Sequence, residues 1–108
     1  MNDANLIAEQ YGITQKCESL KSDLLKITGA TSVEFDLNGF LDNMYQVIVL
    51  VGYDFHKIKG TVWFAVDVLN TAYLHGLEKS DDRIEDYGEH LYFVFNCDSS
   101  WLKKSNEH

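Results

Sequence analysis

A chain of 108 residues carrying 9 Lys plus Arg against 17 Asp plus Glu has a formal charge of −8. That length suits one domain and leaves no room for a separate cofactor module. The charge disfavours direct nucleic-acid binding, which needs cations to displace counterions from phosphates, and it disfavours docking on an anionic membrane.

With 45% apolar and 13% aromatic residues and no proline, residues 1–108 are expected to form a single acidic α+β domain, with 105–108 a frayed tail. The start of the chain lacks the basic segment and long apolar core of a secretory signal. No apolar run is longer than Val47 to Val51, far short of the ~20 residues that span a bilayer. Cys17 and Cys97 form no C-x-x-C pair. They are read as small buried hydrophobes in a reducing compartment, which makes the cytoplasm the expected location.

Residues 1–30 read as helical. Ile13, Cys17, Leu20, Leu24 and Ile27 recur at steps of three or four, with Gly12 interrupting before them and Gly29 stopping the pattern. Thr14 is the N-cap candidate. Ser32 to Leu37 alternates, with Val33, Phe35 and Leu37 on one side and Glu34 and Asp36 on the other, as in a half-buried strand. Asn38-Gly39 is a strong hairpin signal, and Asp42-Asn43 a competing turn. Tyr45 to Tyr53 reads as a central strand covered on both faces, antiparallel to the first.

Thr61 to Leu77 admits two readings. As a helix, preferred here, it places Val62, Ala65, Val66, Leu69, Ala72, Tyr73, Gly76 and Leu77 on one face, with Trp63 and Leu74 off it and Phe64 and Val68 opposite. As strand-then-helix, Thr61 to Val68 becomes a third meander strand. Glu78 to Glu89 reads as a polar connector, Leu91 to Cys97 as a strand, and Ser99 onward as a short turn or helix anchored by Trp101 and Leu102. The expected fold is α+β: a mainly antiparallel sheet of three or four strands with helices packed on one face, in the order α-β-β-α-β or α-β-β-β-α-β.

Catalytic and cofactor signatures are sparse. The seven glycines are scattered singly, with no phosphate-binding loop pattern. His56, His75, His90 and His108 lack metal-ligand spacing, and the acids of the connector lack calcium-loop spacing. A strand holding His90 and Cys97 at its two ends separates them by roughly 23 Å. His90 with Asp86 or Glu89 is the nearest approach to a catalytic set. No enzyme, metal or cofactor is expected.

The acidic surface is the most informative feature. Glu78, Asp81, Asp82, Glu85, Asp86 and Glu89 place six carboxylates in twelve residues, and Glu34 and Asp36 add two on a strand. Such acidity also serves solubility. Read functionally, these residues with Trp63 and Tyr87 offer a binding surface to a basic protein, such as a nucleic-acid-processing enzyme. The expectation is a non-catalytic regulator or inhibitor of the immunity, anti-restriction or anti-CRISPR-like kind. The alternative is a small-molecule binding or sensing module, with a pocket between helix and sheet lined by Tyr45, Tyr73, Tyr92 and Trp63. An exposed helix strip containing Trp63 would also suit a homodimer.

Overall fold

The computed structural model describes residues 4–80 and 84–102. Asp81, Asp82, Arg83 and the expected frayed tail lie outside them. The elements are α1 (Ala4–Tyr11), α2 (Thr14–Leu25), β1 (Ala30–Asp36), α3 (Asn38–Leu41), β2 (Gln46–Tyr53), α4 (Thr61–Leu74), β3 (Leu77–Lys79), β4 (Glu85–Asp86), β5 (His90–Cys97) and α5 (Ser99–Leu102), with a 3-10 turn at Phe55–Lys57. The fold is α+β, an antiparallel sheet ordered β1-β2-β5-β3 with β4 also paired to β5. Five strands stand where three or four are expected.

The central pair sets the sheet's two faces. β2 and β5 run antiparallel with Val47 opposite Phe95, Val49 opposite Phe93 and Val51 opposite Leu91. All six side chains are buried, and with Val33 of β1, Tyr53 of β2 and Leu77 of β3 they form the sheet's share of one core cluster. The alternate residues Ile48, Leu50 and Tyr92 are only half-buried. The helices therefore cover one face, and the expected cover on both faces of β2 is corrected. A run of β-branched residues suits a strand paired on both edges, but it does not by itself supply a second layer.

Helix α2 buries Cys17, Leu20 and Leu24 at the expected spacing. Gly12 (φ 70°) breaks it from α1, and Ile13 rather than Thr14 holds the N-cap position, with no side-chain cap. Residues 61–74 are helical, as preferred, but the helix is turned from the expected orientation. Phe64, Val68 and Ala72 are buried, whereas Val62, Val66 and Tyr73 face outward. The segment is apolar around most of its circumference, so periodicity alone leaves its phase open. Phe64 decides it by packing on Tyr53, with ring centroids 5.5 Å apart.

Two local expectations are also overturned. Asn38-Gly39 opens the helical turn α3 rather than a two-residue hairpin. Asp36 Oδ1 accepts the Asn38 N–H at 2.9 Å, and Phe40 is buried against Tyr11, centroids 5.3 Å apart. Gly39 is needed for close approach: a Cβ there would fall 2.9 Å from the Gln46 carbonyl oxygen. The left-handed residues of this connection are Asn43 (φ 58°) and Tyr45 (φ 53°), nearer the competing turn at Asp42-Asn43. The polar connector Glu78 to Glu89 contributes β3 and β4. Both lie along the β5 edge not taken by β2, supplying backbone partners that polar side chains do not prevent.

The far end of the helix layer is closed by α5. Trp101 is buried, and its indole N–H donates to the His75 carbonyl at 2.6 Å, just past α4. Leu102 is exposed, so Trp101 is the anchor. The His75 ring places Nε2 2.7 Å from Asp23 Oδ2 on α2. That contact, with Lys26 at 3.4 Å, holds the Asp23 carboxyl below its ordinary range.

Trp101→Phe keeps an aromatic ring but leaves the partly buried His75 carbonyl without its donor. It is expected to lower unfolding free energy by about 1–3 kcal/mol, with an unchanged denaturant slope in urea titrations. Because the Asp23 carboxyl is depressed in the folded state, its contribution is present above the unfolded value of about 4 and lost as pH falls through the folded one. Asp23→Asn is expected to flatten the decline of melting temperature below about pH 4.

Candidate functional site

The candidate site is the face of the sheet that, among the described residues, no helix covers. Strand pairing aligns its side chains in cross-strand rows, because residues directly opposite one another share a face. One row runs Glu34, Leu50, Tyr92, Glu85 across β1, β2, β5 and β4. At about 4.8 Å per strand its two carboxylates are roughly 14 Å apart along the backbone. The next row runs Asp36, Ile48, Val94, and continues toward Ser80, whose N–H donates to the Val94 carbonyl at 3.0 Å. A third holds Gln46, Asn96 and Glu78, with the Gln46 amide donating to Asn96 Oδ1 at 3.0 Å.

Ile48, Leu50 and Tyr92, half-buried, with Val94 buried among them, thus form an apolar centre. Glu34 and Asp36 bound it on one edge, and Glu78 and Glu85 on the other. All four carboxylates are exposed. Among the described residues, none of the four takes part in an ion pair. Tyr87, on the turn between β4 and β5, extends this centre by packing edge-on to Tyr92, centroids 6.2 Å apart at 88°.

The remaining expected residues are placed differently. Asp86 is occupied within the hairpin: its Oδ1 accepts the Tyr53 hydroxyl and the Gly88 N–H, each at 2.8 Å. Burial, followed by that carboxylate, pushes the Tyr53 phenol above its ordinary value. Glu89 is exposed beside the same turn, and its carbonyl accepts the Tyr53 N–H at 2.9 Å. Asp81 and Asp82 lie outside the described residues. Trp63 is exposed on α4, in the helix layer, and does not join the carboxylates.

Ile48, Leu50 and Val94 were not singled out from sequence as site residues. The alternation around Glu34 and Asp36 was a usable signal, since whatever opposes those two must share their face.

The tyrosines of the alternative reading do not meet. Tyr92 is on the open face, Tyr73 on the outside of α4, and Tyr45 packs edge-on to Phe40, centroids 6.0 Å apart. Trp63 instead borders a cleft of about 530 Å³ with Thr28, Lys57, Ile58, Lys59, Phe64 and Asp67. His90 sits opposite Gly52 on the open face, while Asp86 is committed to Tyr53.

Burial raises the Cys17 thiol to about 11 and the Cys97 thiol to about 12, so neither is a ready nucleophile. Among the described residues no three of His, Cys, Asp and Glu gather to hold a metal, and no helix is long and apolar enough to cross a membrane. Comparison with family models, curated proteins and solved structures finds no match to the chain.

The thiols supply a direct check on the packing. In the folded protein both cysteines are expected to react with a disulfide reagent at pH 8 at least about a hundredfold slower than free cysteine. Full reactivity should appear on denaturation, read by thiolate release.

Proposed function

We propose that the chain is a non-catalytic protein-binding regulator or inhibitor that docks the open face of its sheet onto a basic partner. The observation that carries this reading is the arrangement of Glu34, Asp36, Glu78 and Glu85, exposed and without an ion pair among the described residues, around Ile48, Leu50, Tyr92 and Val94. Protein interfaces pair an apolar, aromatic-rich centre with a polar rim, and this face has that anatomy. Acidity that served solubility alone has no need to frame an apolar patch.

The rim selects a cationic counterpart. Opposed potentials speed encounter and penalise wrong docking, while the centre supplies apolar area once contact is made. A groove that ordinarily holds a nucleic acid is a partner of this chemistry, since it presents Lys and Arg to phosphates. The carboxylates would occupy it as stand-ins for those phosphates. Tyr87 and Tyr92 supply rigid rings of the type that dominates binding energy.

The test compares the wild type with Glu34→Lys/Asp36→Lys and with Glu78→Lys/Glu85→Lys as baits for proteins of the native host, at about 50 and 500 mM salt. A basic protein retained at low salt, released at high salt and lost by both variants is the expected result. With that partner purified, each variant should slow association by about tenfold or more, measured by surface plasmon resonance. A partner bound equally by wild type and variants would abandon the open face as the docking surface.

A further inference from the structure

Helix α4 carries a second unsatisfied surface, on the far side of the molecule from the open sheet. Its inner side packs through Phe64, Val68 and Ala72. Its outer side exposes Val62 (71%), Trp63 (65%), Val66 (40%), Tyr73 (69%) and Leu74 (83%). At 100° per residue these five and Asn70 fall within an arc of roughly 120°, opposite the buried stripe. The helix has one charged side chain, Asp67, at the edge of that arc. A partner chosen by charge would find no counter-charge here.

We infer that α4 is the contact of a two-fold homodimer, in which the outer faces of two α4 helices pack antiparallel. The spacing of the exposed residues carries the assignment. A two-fold contact is isologous: if residue i meets residue j, then j meets i. The exposed set reads the same from either end of the helix. In an antiparallel pair centred on Val68, Val62 stands against Leu74 of the second copy, Trp63 against Tyr73, and Val66 against Asn70. Each large side chain of one copy is matched by a side chain of the other.

The area is of the right order. The five apolar side chains expose roughly 600 Å² per copy, or about 1,200 Å² for the pair, at the lower end of specific stable interfaces. Self-repulsion at −8 per copy does not oppose this arrangement strongly. The carboxylates of the open face lie beyond both the sheet and the helix layer, more than the ~8 Å Debye length away at physiological salt. The dimer leaves both acidic faces outward, so it is compatible with the docking proposed above and independent of it.

Sedimentation equilibrium at about 100 µM is expected to return twice the chain mass, undiminished by raising salt. Val62→Glu and Leu74→Lys are each expected to give monomers with unchanged circular dichroism, since both positions are open to solvent. Combined in one chain, they should restore the dimer, because the introduced carboxylate and ammonium face each other twice across the two-fold axis. A monomeric wild type, a dimer that survives both single changes, dissociation by salt, or a double variant as monomeric as the single ones would each overturn the inference. None of these outcomes bears on capture of a basic partner by the open face.

Discussion

The pairing register of β2 with β5 is the constraint from which the rest of the molecule follows. Val47, Val49 and Val51 stand opposite Phe95, Phe93 and Leu91, and together they floor the helix layer. Side chains alternate strictly along a strand, so a slip of one residue would send this whole set to the outside. The same register obliges Ile48, Leu50, Tyr92 and Val94 to share the opposite face. Their position is therefore a consequence of the core's demand for Val and Phe on one side. Phe93 and Phe95 reinforce it by stacking on each other, centroids 5.7 Å apart.

Two surfaces of contrasting chemistry result. The sheet's outer face combines carboxylates with an apolar centre, whereas the outer face of α4 is apolar and nearly free of charge. Electrostatic attraction is long-ranged and screened by salt, while apolar burial is short-ranged and indifferent to it. The two proposed contacts would therefore differ in their response to salt, the sheet face sensitive and the α4 face tolerant. Two copies joined at α4 would present two acidic faces, and a partner with repeated basic sites would gain from simultaneous engagement.

The split of the acidic residues illustrates how much a linear reading can carry. Glu34 and Asp36 were legible because a strand has a period of two and Val33, Phe35 and Leu37 fill the alternate positions. Glu78 and Glu85 were legible as acids, but not as neighbours of Glu34. Their place depends on β3 and β4 adding to the free edge of β5, which is set by unpaired backbone groups and leaves no side-chain signature. Asp86, one residue from Glu85, points the other way and binds the Tyr53 hydroxyl. Trp63 was grouped with the acids by character alone, and the helix layer separates them.

Local chemistry along the chain was sufficient for the α+β class, for α2 with its stripe at Cys17, Leu20 and Leu24, and for the strands around Phe35, Val49 and Phe93. In α2 and around Phe35 the apolar period matches one element type, and around Val49 and Phe93 short runs of branched and aromatic residues favour a strand. Tertiary packing decided the phase of α4, the helical turn at Asn38, the single covered face and the composition of the acidic rim. Each of these turns on a partner distant in sequence: Tyr53 for Phe64, Tyr11 for Phe40, the β5 edge for Glu85. An apolar residue specifies that it must be buried, but only the folded neighbours specify against what.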